Sequence, residues 1–196
     1  MTTKSSSLRS LLGRAASRGR AFARDDQGVT VVEFAILALP FFTVIFAILE
    51  TAMVFLAMQV LDSAVEDASR LIKTGRAQAA GYTMTDFRGV MCGYTFNLFG
   101  DCSKIKIQIK EISDFASVQT TPPMTCTPTV NPTTCEITMT EDYAPSAGGK
   151  IVQVQAYYRW PLVLALPYFN MKNQPDNYRL IGATRVFRNE PFTLAQ

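Results

Sequence analysis

Hydrophobic and polar positions divide the chain into three regimes. From Phe34 to Leu49 it reads FAILALPFFTVIFAIL without a charge, and after the single acid Glu50 it continues TAMVFLAMQVL to Leu61. A membrane helix needs about 20 mainly apolar residues, and Phe34 to Phe55 meets that requirement. A core helix of a small soluble domain is rarely apolar on all sides for so long. Cleavable export signals have shorter apolar cores followed by a small-x-small site, and none follows here, so the run is expected to be a permanent anchor. Pro40 lies inside it; in a bilayer the carbonyl freed on Ile36 can be satisfied by neighbours, and the proline is read either as a simple bend or as a hinge.

The second regime has helical period. Leu61, Ala64, Val65, Ala68, Leu71 and Ile72 recur on one face, with Asp62, Glu66, Asp67 and Arg70 opposite. The spacing predicts one helix from about Val29 to Thr74, stopped at Gly75 and rising roughly 70 Å at 1.5 Å per residue. Its amphipathic end is expected to pack under the chain's own globular domain.

The third regime alternates with period two. A short helix is predicted from Thr85 or Asp86 to about Cys92. Strands are predicted at Lys104 to Lys110, with Ile105, Ile107 and Ile109 inward and the lysines in water, then at Glu136 to Thr140, Ile151 to Tyr158 and Arg179 to Phe187. Strands that follow helices without a βαβ rhythm indicate an α+β fold, here a long N-terminal transmembrane helix followed by a small antiparallel β-sheet domain with disulfides. The expected organisation is a basic leader over residues 1–28, the transmembrane helix and its amphipathic extension over 29–75, and an α+β domain over 76–196. The apolar stretch Trp160–Phe169 is too short to span a bilayer; it reads as core or as a patch resting on a membrane or partner.

Charge sets the expected orientation. The first 24 residues carry Lys4, Arg9, Arg14, Arg18, Arg20 and Arg24 and no acid. Basic flanks stay on the cytoplasmic side, so the leader is expected in the cytoplasm and everything from about residue 60 onward outside it. The arginines are dispersed and lack an aromatic ladder, which argues against nucleic acid as a partner. All four cysteines (Cys92, Cys102, Cys126, Cys135) lie beyond the anchor, where an oxidising compartment would hold them as disulfides. Three pairings are possible; proximity favours Cys92 with Cys102 and Cys126 with Cys135. Their spacing suits neither a zinc site nor a C-x-x-C redox pair. Histidine is absent from the 196 residues, which removes the commonest general base and zinc ligand. No catalytic residue, metal or cofactor is expected, and the chain reads as an assembly component rather than an enzyme.

One acid stands in an unusual place. In DDQGVTVVEF, residues 25–34, Glu33 sits at the mouth of the apolar run, where ionised groups are costly. Cleavage after Gly28 would give Val29 a free α-ammonium one helical turn from Glu33, and the acid could neutralise that charge or the same charge on a neighbouring subunit. Glu50, deeper in the run, reads either as marking the outer boundary of the hydrocarbon or as pairing with a basic group on another helix.

The junction resembles a type IV prepilin signal, with the cleavage roles falling on Gly28, Val29, Glu33 and Phe34. Together with FRGVMCG, CSKIKIQIKEISDF, VQVQAYYRWPLVL and ATRVFRNEPF, it resembles the TadE-like pseudopilins of Tad (Flp) type IV pilus assembly. The resemblance implies cutting by an inner-membrane prepilin peptidase and anchoring in the bacterial inner membrane. It also implies work beside other Tad pilins, pseudopilins and the assembly platform, in adhesion and biofilm formation, with a place in the fibre or at its base. The competing expectations are an uncut anchored binding module and a thiol-based anchored enzyme.

Overall fold

The structure is a computed structural model that describes residues 26–126, 135–164 and 171–193. Helix α1 covers Asp26–Lys73 and continues through Pro40. By contacts the chain divides into two units, one up to Ile48 and the other from Leu49 onward, so the second part of α1 belongs to the globular unit. Gly75 ends the helical stretch at φ 75°, donating its N–H to the Ile72 carbonyl. A side chain could not replace it, because an added Cβ would lie within 3 Å of the Phe192 ring.

Two short helices follow, α2 at Arg76–Ala79 and α3 at Met84–Gly93. The latter starts a residue or two before the helix the sequence predicts, because Thr83 and Asp86 form a reciprocal cap across its first turn. These bonds hold the Asp86 carboxyl below the usual carboxylate range, the Thr83 hydroxyl contributing most. The strands are β1 Lys106–Ile112, β2 Met124–Cys126, β3 Cys135–Ile137, β4 Asp142–Tyr143, β5 Ile151–Pro161 and β6 Tyr178–Arg188. The main sheet has the order β4-β1-β5-β6, and β2 pairs with β3 in a separate hairpin. The α+β class, the long helix and the two disulfides agree with expectation.

Several elements differ in detail. β1 starts at Lys106, since Cys102–Lys104 closes a 3-10 turn capped by Asp101, yet Ile105, Ile107 and Ile109 are all buried as their spacing requires. The strand expected at Glu136 to Thr140 is the shorter Cys135–Ile137. The sheet is also not wholly antiparallel, because β4 runs parallel to β1. The long connection from Ile112 to Asp142 lets the chain come back in the same direction.

The core lies between α1 and the inner face of the sheet. Val54, Ala57, Leu61, Ala64, Val65, Ala68 and Ile72 form one helical stripe packed against Ile105, Ile107, Ile109, Val152, Val154, Ala156 and Ile181. Three alanines keep the stripe flat, which lets the helix lie close to the sheet, and each large aliphatic side chain buried here stabilises the unit by about 1.5–3 kcal/mol. The stripe reaches up to Val54, within the stretch whose apolarity reads as membrane span. On the other face of β5, Gln153 and Gln155 are buried rather than solvated: their Nε2 atoms donate to the Gln119 carbonyl at 2.8 and 3.0 Å. The segment after β1 covers that face and supplies an acceptor for both amide nitrogens, while Gln153 Oε1 has no hydrogen-bond partner among the described residues.

The C-terminal RNEPF sequence locks the far end of α1. Glu190 N–H donates to the Lys73 carbonyl, Phe192 fills the space over Gly75, and buried Asn189 donates to the carbonyls of Pro145 and Ala147. Arg185, from β6, reaches α1 and meets Asp62 at 2.6 Å and Glu66 at 3.1 Å. Its hydrogen bond to Asp62, foremost, raises the guanidinium pKa.

Candidate functional site

The residues singled out at the N-terminal junction all lie at the start of α1. The helix begins at Asp26, so the Gly28–Val29 peptide is inside its first turn. Val29 and Glu33, four residues apart on a continuous helix, share a face; Phe34 follows on the next position. Val29, Val31, Val32, Phe34, Ile36, Leu37 and Leu39 are all exposed, as are Phe41, Phe42 and Val44. Bare apolar surface on every side of a helix has a favourable environment only in lipid or against other apolar helices. Thr43 turns its hydroxyl back to the Leu39 carbonyl at 2.7 Å, the usual way a hydroxyl is satisfied in an apolar helix. Among the described residues, α1 is the helix long and apolar enough to cross a membrane.

Glu50 has a role that neither sequence reading anticipated. Its Oε1 accepts the backbone N–H of Val163 and, at 3.0 Å, that of Leu164. The acid therefore satisfies two main-chain donors at the end of β5, instead of requiring a basic partner on another helix. One residue along, the Thr51 hydroxyl meets Met171 Sδ at 3.5 Å. No sequence signal could have found these pairs, because they join positions more than a hundred residues apart.

The cysteines form two disulfides, Cys92–Cys102 and Cys126–Cys135. The first ties α3 to the turn that feeds β1. The second joins directly opposed residues of the β2–β3 hairpin, whose tip, residues 127–134, lies outside the described residues. Of the apolar stretch Trp160–Phe169, which starts within β5, Trp160 is half-buried, Leu162 buried and Val163 exposed, so core and surface share it; residues 165–169 lie outside the described residues. Among the described residues no group of His, Cys, Asp or Glu is arranged to hold a metal ion.

Neither the curated proteins nor the solved structures include a match to the chain. A protein-family model described as TadE-like protein does match, over residues 28–70, from the Gly28–Val29 junction through the exposed part of α1 and most of its packed part, and over this stretch the chain is similar to that family.

Proposed function

We propose that the chain is a TadE-like minor pilin, or pseudopilin, of a Tad (Flp) pilus system, anchored in the inner membrane by α1 and processed by a prepilin peptidase between Gly28 and Val29. The family match starting at Gly28 carries this reading. It is supported by the exposed apolar helix that follows and by Glu33 one turn beyond the junction. In the processed chain the Val29 ammonium and the Glu33 carboxylate offset each other near hydrocarbon, where either alone is costly. The basic leader keeps residues 1–28 cytoplasmic, and the disulfide-bonded unit faces the periplasm. Its partners are the peptidase, other pilins and pseudopilins, and the assembly platform in the membrane.

The test is the intact mass of protein extracted from membranes of cells with an active peptidase. The expected result is loss of residues 1–28, abolished by Gly28→Leu, with Glu33→Leu cut but deficient in pilus formation. Full-length protein in peptidase-positive cells would overturn the processing step and leave an anchored module.

A further inference from the structure

The end of the globular unit that carries Glu50 has three features the anchoring role leaves unused. The first is the segment after β5. At about 1.5 Å per residue, Val29 to Leu49 rises about 30 Å, the thickness of the hydrocarbon layer, which puts Glu50 at its outer boundary. Glu50 and Thr51 hold Val163, Leu164 and Met171 to that one turn of helix. Backbone donors near lipid need internal partners, and the Glu50 carboxylate provides one for two of them. The Leu162 N–H donates to the Asn177 carbonyl at 3.0 Å, and Asn177 Nδ2 donates back to the Leu162 carbonyl at 2.6 Å. On this fixed support Val163 is 89% exposed.

The second feature is Phe96, 88% exposed and held at φ 51°. A bulky residue in the left-handed region is strained, and here the strained residue carries an aromatic ring in the open. Its loop is fastened to the same end of β5: the Phe99 ring lies 4.8 Å from Tyr158 and 6.1 Å from Trp160, and the Tyr158 hydroxyl donates to the Phe99 carbonyl at 3.3 Å. Among the described residues of the globular unit, Phe96 and Val163 are the two most exposed large apolar side chains. The third feature is an open cleft of about 500 Å³ whose charged lining consists of Lys104, Lys106 and Arg159. The Arg159 guanidinium stacks 4.7 Å over the Tyr178 ring, and Arg159 precedes Val163 by about 13 Å of extended chain. Apolar tips and a cationic cleft at one end match the layered chemistry of a leaflet surface.

We propose that this end of the globular unit is a second membrane contact, in which Phe96 and Val163 enter the interfacial layer and the Lys104–Lys106–Arg159 cleft takes the phosphate headgroup of an anionic phospholipid. The proposal rests on α1 spanning the bilayer. Charge complementarity between the cationic cleft and an anionic headgroup favours lipid over a protein partner on this surface.

The experiment uses the full-length, oxidised protein in nanodiscs of phosphatidylcholine with or without phosphatidylglycerol. An environment-sensitive fluorophore is attached through Phe41→Cys, Phe96→Cys, Val163→Cys or, at the opposite end of the unit, Ala80→Cys. The expected result is a blue shift at 96 and 163 with quenching by lipids brominated near the headgroup, deep quenching at 41 and neither effect at 80. Replacing Lys104, Lys106 and Arg159 together by Gln is expected to reduce the signal at 96 and 163 in anionic discs only. Water-like emission at 96 and 163 with 41 quenched would overturn the contact while leaving the anchor intact. An unquenched 41 would overturn the anchor, and the contact with it. An unchanged signal in the triple variant, shown to be folded by its circular dichroism, would overturn the headgroup assignment.

Discussion

The residues of α1 before and after Leu49 are built from much the same apolar alphabet, and they bury it differently. Up to Ile48 the helix leaves Phe34, Leu37, Phe41 and Val44 bare in every direction; from Val54 it hides a stripe ending at Ile72 and turns Asp62 and Glu66 outward. An all-round apolar helix calls for an apolar solvent, whereas a striped one calls for a single packed partner. The first region therefore carries no folding information for the globular unit, and the second is part of its core.

Truncation gives the largest separation of the two regions. Leu61→Ala, at a fully buried position, is expected to cost about 2–5 kcal/mol, read as a lower midpoint of thermal unfolding in detergent. Leu37→Ala, at a position 71% exposed, is expected to leave that midpoint unchanged. Equal effects would remove the distinction. Next comes the loss of a cross-link: reducing either disulfide is expected to destabilise the globular unit by about 2–3 kcal/mol in the chain-entropy account, without altering the helical signal of the exposed apolar part of α1. Calorimetry with and without reductant checks this.

Arg185→Gln tests the polar side of the striped region. Because Arg185 and its two acids are partly solvated, the expected cost is at most about 1 kcal/mol and shrinks with added salt.

The smallest effect concerns Tyr143, whose buried hydroxyl has no hydrogen-bond partner among the described residues and whose pKa is pushed by burial from 10.0 up to about 12. Folding favours the neutral phenol, so its contribution is complete below pH 10 and is lost as pH rises toward 12. Tyr143→Phe is expected to be close to neutral at pH 7 and to resist unfolding in that alkaline window, as a pH series of denaturation curves would show. Asp86 behaves oppositely: with its pKa lowered, its cap is present above the ordinary carboxylate range and is lost as pH falls through the folded value.

Much of this organisation is legible in residue order because it depends on local periodicity. The apolar run, the stripe from Leu61 to Ile72, the stop at Gly75 and the inward isoleucines of β1 follow from period, propensity and turn chemistry within a few residues. The candidate junction is legible for the same reason, since Gly28, Val29, Glu33 and Phe34 are neighbours. Gln153 and Gln155 mislead because alternation assigns polar residues to water, and only the chain laid over β5 shows that they face Gln119.

By itself, then, the amino-acid order determines a helix of membrane length, where its amphipathic face starts to repeat, and which strand residues turn inward. Only tertiary structure decides that Glu50 serves the backbone of Val163 and Leu164, that Arg185 bridges to Asp62 and Glu66, that RNEPF closes over the end of α1, and that the Phe99 ring packs against Tyr158 and Trp160. Those relations depend on chain reversals that bring distant segments within hydrogen-bond reach, and no local pattern encodes which distant donor will meet which acceptor.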